Sequence, residues 1–267
     1  MATLGFIGAG NMGSALASAA RKQVEGGQIL ISNRTAAKAE ALASKLGGCV
    51  SDNETIAWSA DYIFLAVKPQ MLPEVLEGIA PALKARGEGF VLVTMAPGLT
   101  IADIQRLAGG QYPVMRIMPN TPSSIGEGMI LYAPGPELSD EKTEEFLSLM
   151  AGAGLFCQLA ENLIDAGSAV SGCGPAYVDL FVEAMADGGV ACGLPRAQAL
   201  QMAAQMTVGA AKLILATGSH PGTLKDAVCS PGGSTIQGVR ALEKGGFRST
   251  VMEAVMAACE KNKALGK

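Results

Sequence analysis

Two glycine-rich turns carry the residue types best suited to holding charged groups. The first is Gly8-Ala9-Gly10-Asn11-Met12-Gly13, between the short apolar run Leu4-Gly5-Phe6-Ile7 and the small-residue run Ser14–Ala20. This order reads as strand, tight turn and helix. Gly8 permits the turn, Gly10 leaves the backbone open to a pyrophosphate, and Gly13 lets the helix lie close on the strand. The helix N-terminus then offers unpaired N–H groups and a positive dipole end to phosphates. The second turn is Ser230-Pro231-Gly232-Gly233-Ser234-Thr235-Ile236. Two glycines let the backbone fold tightly, and Ser234 or Thr235 is expected to cap the helix that follows. Several N–H groups would then converge on one spot suited to a carboxylate.

The first turn is half of a dinucleotide fingerprint, and the other half indicates which dinucleotide. An NAD site usually places Asp or Glu about 20 residues on, at the end of the second strand, to hold the ribose 2′-hydroxyl. Here the strand Ile29–Ser32 ends in Asn33-Arg34-Thr35, an amide, a guanidinium fork and a hydroxyl. That set suits a 2′-phosphate, which a carboxylate would repel. The same residues also serve as a helix start with Thr35 as cap, and both roles are compatible. NADP(H), with NADPH preferred and NADH as the alternative, is the expected cofactor.

The remaining candidate ligands follow from where the elements end. Apolar runs expected as strands are Leu4–Ile7, Ile29–Ser32, Tyr62–Val67, Phe90–Thr94 and Val114–Met118, with a weaker one at Cys49–Ser51. Met129–Ala133 and Leu155–Gln158 are expected as added edge strands around a helix Asp140–Met150. Alternation of such runs with helices predicts a doubly wound, Rossmann-type parallel sheet over residues 1–159. Right-handed crossovers bring the strand C-terminal ends to one crevice. Asn53 after the third strand, Ala66-Val67-Lys68-Pro69 after the fourth and Asn120 after the sixth are therefore expected at the cofactor. The alternatives are a solvated surface charge for Lys68 and an ordinary turn former for Asn120, and the position at strand C-terminal ends favours the cofactor role for both.

Beyond Leu159 strand-like runs stop. Helical stretches are expected at Leu163–Val170, Pro175–Ala191, Arg196–Thr217, Thr235–Lys244 and Phe247–Lys263, giving an all-helical domain over residues 160–267. Ala197–Ala211 carries no charge but holds Gln198, Gln201 and Gln205 on one face, which predicts a buried helix with a thin polar stripe and not a membrane span. These helices expose more apolar surface than one copy can cover, so self-association as a dimer is expected. Ser171-Gly172-Cys173-Gly174-Pro175-Ala176-Tyr177 is a further glycine-rich turn, but no strand precedes it. The one histidine, His220, lies in a Ser219-His220-Pro221-Gly222 turn, so no Cys–His catalytic pair is suggested.

Composition limits the partners. A net charge of −4 argues against nucleic acid or an anionic membrane as the main partner. Six scattered cysteines without C-x-x-C suggest neither a zinc site nor a disulfide framework, and point to a reducing compartment such as the cytoplasm. The N-terminus enters a strand without the pattern of a signal peptide.

The chain resembles the pyrroline-5-carboxylate reductase family. The resemblance rests on Ser230-Pro-Gly-Gly-Ser-Thr-Ile236, Glu243-Lys-Gly-Gly-Phe-Arg248, Ser171-Gly-Cys-Gly-Pro-Ala-Tyr177, Ala66-Val-Lys-Pro69, Gly8-Ala-Gly-Asn-Met-Gly13 and His220-Pro-Gly with Leu224-Lys-Asp226, in the family's order. It implies NAD(P)H-dependent reduction of 1-pyrroline-5-carboxylate to proline, a Rossmann domain, and a helical dimerisation domain that often builds rings of dimers. The threonine matching Thr235 has been proposed in the family to hydrogen-bond the imine nitrogen. Ser230, Gly232, Gly233, Ser234 and Thr235 are then the substrate-binding set. Ser234 departs mildly from the Ala or Thr often found there. A related imine reductase, a β-hydroxyacid dehydrogenase or a non-catalytic NADP(H) sensor remain as alternatives. The hydroxyacid enzymes usually need a lysine in the helical domain, and none follows Gly174 before Arg196.

Overall fold

The computed structural model describes residues Ala2–Leu265. Within it the chain divides into two compact units: one made of the residues up to Cys173 together with those from Ala258 on, the other of Gly174–Ala257.

The first unit is built on strands β1 (Leu4–Ile7), β2 (Ile29–Ser32), β3 (Cys49–Val50), β4 (Tyr62–Leu65), β5 (Val91–Thr94), β6 (Val114–Met118), β7 (Gly128–Pro134) and β8 (Gly154–Gln158). They lie in one sheet in the order β3-β2-β1-β4-β5-β6-β7-β8, with only the β6–β7 pair antiparallel. β1, β4 and β5 are buried along their whole length, as their unbroken apolar runs require of a sheet covered on both faces. On one face Phe6 stacks on Phe64 with ring centroids 4.3 Å apart, and Phe146 closes over them. On the other, helix α4 (Leu72–Arg86) buries Leu72, Leu76, Ile79 and Leu83, spaced at i, i+4, i+7 and i+11. At about 1.5–3 kcal/mol per buried side chain, that stripe contributes roughly 6–12 kcal/mol toward fixing α4 beside the strand ends.

The strand positions follow the sequence closely, with one informative shortening. β4 ends at Leu65, its last rung to β1 being the Ala66 N–H donating to the Ile7 carbonyl (2.8 Å), and Pro69, lacking an N–H, then opens a short 3₁₀ turn. Val67 and Lys68 are left between them as a loop. The crossover helices of this unit are α1 (Asn11–Ala20), α2 (Ala36–Leu46), α3 (Asn53–Ser59), α4 and α5 (Ile101–Ala108), with α6 (Asp140–Met150) and α7 (Ile164–Ser171) beyond β7.

α7 packs on the sheet through Ile164, which meets Met118, Leu131 and Ala133. Polar contacts add to this. Arg116, 3 % exposed on β6, reaches Glu161 (3.4 Å) and Asp165 (3.1 Å), and the Asp165 carbonyl accepts from Asn262 Nδ2 (3.1 Å).

The second unit holds α8 (Gly174–Ala191), α9 (Arg196–Thr217), α10 (Pro221–Ala227), α11 (Ser234–Lys244) and the first part of α12 (Phe247–Leu265). α8 and α9 approach closely where Gly189 faces Ala199. The expectation that α9 is buried is corrected here: in one chain only Ala199 and Ala203 are, while Leu200, Met202, Met206, Leu213 and Leu215 are exposed. The apolar run marks a surface that needs covering, not an interior helix of a single copy. By length and composition α9 could also cross a membrane. α10 is an element the sequence left as a turn: His220 accepts the Gly222 N–H at Nδ1 (3.1 Å) and caps it, with Pro221 at its first position.

Candidate cofactor crevice and anion-binding turn

The Gly8–Gly13 turn has the geometry its glycines demand. Gly8 sits at φ +115°, and a Cβ there would collide with the Ala66 carbonyl. At Gly13 a Cβ would strike the Gly8 carbonyl oxygen and come within 2.9 Å of the Ala66 Cβ, so α1 can rest on the strand end only without one. Gly10 is the opposite case: a Cβ would stand in open space, the room a pyrophosphate would fill. Gly10 caps α1 without a side-chain acceptor, and no acid lies in the first turn, so the helix end stays receptive to an anion.

A cavity of about 770 Å³ opens beside this turn. Gly8, Gly10, Asn33, Arg34, Thr35, Asn53, Ala66, Val67 and Lys68 all line it, which brings together nine residues drawn from four separate strand ends. Asn11, Met12, Gly13 and Pro69 are not among the lining residues. A hydrogen-bond frame holds the mouth. Gly8 N–H donates to the Ser32 carbonyl (2.8 Å), and Ser32 Oγ donates to Asn53 Oδ1 (2.6 Å). Asp52 caps α3 by accepting from Thr55 N–H (2.7 Å) and Oγ1 (3.0 Å), bonds that hold its carboxyl below the ordinary range.

Two amides have partners that the sequence did not disclose. Asn33 is turned inward: Oδ1 accepts the Ala9 N–H (3.0 Å) and Nδ2 donates to the Thr35 carbonyl (3.0 Å). Its amide therefore couples the glycine turn to the Arg34-Thr35 loop. Asn120 is 8 % exposed, with Nδ2 donating to the Ser171 carbonyl (2.9 Å) and Oδ1 accepting the Met129 N–H (3.1 Å). It does not line the cavity, and both ends of its amide are engaged in tying β6, β7 and α7 together. Its position just past a strand end could not reveal that.

In the second unit, Ser230–Gly233 forms a tight turn closed by Gly233 N–H to the Ser230 carbonyl (3.0 Å), with Gly232 at φ +71°. The expected cap is corrected: Gly233, not Ser234 or Thr235, occupies the N-cap of α11 at φ −69°, ψ 167°, without a side-chain bond. Ser234 and Thr235 are the first two helical residues and both are exposed. The Thr235 hydroxyl is thus not consumed by capping, and the leading N–H groups of α11 are left without an acceptor from a capping side chain.

The chain matches known proteins over nearly its whole length. Residues 161–265 fit the family model described as pyrroline-5-carboxylate reductase dimerisation, and residues 3–97 the one described as NADP oxidoreductase, coenzyme F420-dependent. The pyrroline-5-carboxylate reductase of Escherichia coli (strain K12) is 42 % identical over 267 residues, covering 99 % of this chain and 98 % of its own. The chain belongs to the pyrroline-5-carboxylate reductase family. Among solved structures, the Plasmodium falciparum pyrroline carboxylate reductase with NADP bound superposes with a TM-score of 0.89 at 33 % identity, covering 100 % of this chain and 98 % of that one. The Coxiella burnetii pyrroline-5-carboxylate reductase gives 0.92 at 30 % identity, covering 100 % and 99 %.

For this pyrroline-5-carboxylate reductase family member, the crevice also contains residues that sequence reasoning missed. Met71, Val75, Gly78 and Ile79 supply an apolar wall suited to a flat ring, and Lys38, Asp52, Glu54 and Glu74 complete the rim. A signal for the wall existed. Gly78 costs an amphipathic helix about 1 kcal/mol relative to alanine, and a Cβ there would meet nothing within 4 Å, so the position faces open space.

Proposed function

We propose that this protein reduces 1-pyrroline-5-carboxylate to L-proline with NADPH, the closing step of proline synthesis. The observation that carries the reading is the α11 N-terminus, whose glycine cap leaves backbone donors and the Thr235 hydroxyl exposed side by side. The substrate presents the complementary pair, a carboxylate and an imine nitrogen.

The residues of the crevice fit NADP(H): an open glycine turn for the pyrophosphate, cations at Arg34 and Lys68, and an apolar wall for the adenine. When bound, the cofactor supplies the hydride that reaches C5 of the ring. The protein's part is orientation and charge placement. N–H groups of Ser234 and Thr235 hold the carboxylate whatever the side chains are, with Ser230, Gly232 and Gly233 shaping the turn. The Thr235 hydroxyl hydrogen-bonds the ring nitrogen, which takes a proton from solvent as hydride reaches C5 and the C=N bond becomes C–N. No strong base is needed, since the reaction depends mainly on alignment.

The functional division in this reading falls between residues 159 and 160. Residues 1–159 bind the cofactor. Residues 160–267, which include the whole stretch matched by the dimerisation model, associate with a second copy and bind substrate. Covering Leu180, Leu200, Met202 and Leu215 of α8 and α9 is the driving force for assembly as a dimer or a ring of dimers. Six free cysteines suit the reducing cytoplasm as its location.

NADPH consumption followed at 340 nm with pyrroline-5-carboxylate, and NADP⁺ reduction with a panel of 2- and 3-hydroxyacids, separates the competing readings. Turnover with the imino acid alone is expected. Turnover only with a hydroxyacid, or binding of NADPH with no turnover at all, would remove the reductase reading in favour of a dehydrogenase or a sensor.

A further inference from the structure

We propose that Asn120 is a positioning residue for the hydride transfer, its amide holding the joint between α7 and α8 through which the chain passes from the first unit into the unit that carries the substrate turn. The inference rests on the reductase reading and deepens it.

A proline creates the need for the brace. In a continuous helix the Ser171 carbonyl would accept the N–H of the residue four positions on. That residue is Pro175, the second of α8, which has no N–H to give. The two N–H groups that follow Ser171, those of Gly172 (2.8 Å) and Cys173 (3.0 Å), both return to the Ser168 carbonyl. The Ser171 carbonyl is thus a helix end that needs a donor from elsewhere. Asn120 Nδ2 supplies it at 2.9 Å, from 51 residues away.

Asn120 forgoes its local role to do so. Asparagine ranks among the best helix caps, and Asn120 holds the N-cap position of the 3₁₀ turn Thr121–Ile125, yet its side chain makes no capping bond there. The other end of the amide is fixed on β7, where Oδ1 accepts the Met129 N–H (3.1 Å). For a buried side chain, losing either bond would leave an unpaired polar group, so the amide is held at both ends or at a cost. The last residue of α7 is thereby tied to β6 and β7, the antiparallel pair of the sheet.

α7 anchors both places where the chain crosses between the units. The outward crossing falls between Cys173 and Gly174, two residues past the carbonyl that Asn120 holds. The return falls within α12 at Ala258, and Asn262 Nδ2 then donates to the Asp165 carbonyl of α7 (3.1 Å). Hydride transfer depends on alignment, and a misplacement of about 1 Å costs roughly 100-fold in rate. Asn120 does not line the crevice, so its loss should disturb alignment and spare the cofactor's own contacts.

Single-turnover oxidation of NADPH bound to the full chain, at saturating pyrroline-5-carboxylate, separates alignment from folding. The rate constant reports the first, and the amplitude per chain the second. Asn120→Asp keeps an acceptor for the Met129 N–H but loses the donor to Ser171. Its rate constant should fall roughly 10- to 100-fold, with amplitude and NADPH affinity unchanged. Pro175→Ala disturbs the same joint without touching Asn120, because it supplies an N–H that competes for the Ser171 carbonyl, and should lower the same rate constant severalfold. Should Asn120→Asp not fold, Pro175→Ala decides alone. A wild-type rate constant in Asn120→Asp, whatever its amplitude, would make the residue structural only. Weakened NADPH binding would make it a cofactor ligand, and a wild-type rate in Pro175→Ala would remove the joint from the account. Each of these overturns the proposal while wild-type turnover leaves the reductase reading standing. A wild-type chain that binds NADPH and never oxidises it with the imino acid would overturn the two together.

Discussion

Removing the Thr235 hydroxyl separates a chemical role from a structural one, because the structure assigns the N-cap of α11 to Gly233. A threonine that capped the helix would lose about 1 kcal/mol on conversion to alanine, which for a chain of this size lowers Tm by roughly 2–4 °C. Thr235 lies instead at the second helical position, where alanine is at least as favourable, so Thr235→Ala should leave Tm within about 1 °C of wild type. The proposed hydrogen bond to the imine nitrogen would be a neutral one that strengthens as the nitrogen gains electron density, contributing about 1.4–2.7 kcal/mol to the transition state. That corresponds to a 10- to 100-fold fall in kcat. Steady-state kinetics at saturating NADPH, with calorimetry for stability and a fluorescence titration for NADPH affinity, measure the three quantities independently. NADPH affinity should be unchanged, and Thr235→Ser should recover most of the rate. Normal turnover in the alanine variant, or a joint loss of stability and cofactor affinity, would refute the reasoning.

Three other outcomes follow from the packing. Arg116→Met removes a guanidinium that is 3 % exposed and leaves Glu161 and Asp165 without a counter-charge, at a cost of about 2–4 kcal/mol after allowing for the partial exposure of both carboxylates; thermal unfolding should fall by roughly 5–15 °C, and an unchanged Tm would contradict it. Glu145 is held below the ordinary carboxylate range, first by the hydrogen bond from Lys142 (2.7 Å) and then by the Tyr62 hydroxyl (2.8 Å). Its contribution is therefore complete above about pH 4.5, its unperturbed value, and is lost as pH falls through the lowered native value. Chemical denaturation of wild type and Glu145→Gln between pH 3 and 6 should show the gap between them closing toward acid, and a constant gap would count against the pairing. Light scattering at low micromolar concentration should find a dimer or larger species, because α9 exposes Leu200, Met202, Met206, Leu213 and Leu215 in a single copy; a stable monomer would contradict that account.

What the sequence disclosed and what it withheld divide along physical lines. β1, β4 and β5 were legible because strands buried on both faces must be unbroken apolar runs, and the roles of Gly8, Gly10 and Gly13 because a missing side chain acts through the backbone at a fixed spacing. Side-chain direction was not legible. Asn33 and Asn120 both follow strand ends, yet each spends its amide on neighbouring loops, since the nearest unpaired N–H and C=O groups are set by tertiary contacts 9 to 51 residues away or by the local turn. The cap of α11 passed to Gly233 because a glycine without Cβ can take an extended conformation beside Ser230, which leaves both hydroxyls outside the capping position. α9 looked like a core helix because apolar periodicity reports a need for burial and not the partner that meets it.

The central claim is that hydride moves from NADPH to C5 of the imino acid on this chain. Incubation with NADPH deuterated at both C4 positions and unlabelled pyrroline-5-carboxylate, followed by mass spectrometry and NMR of the product, tests it directly. The account predicts proline carrying one deuterium, at C5, in an amount equal to the NADPH consumed. Unlabelled proline, or NADPH left intact while the imino acid is unchanged, would contradict it.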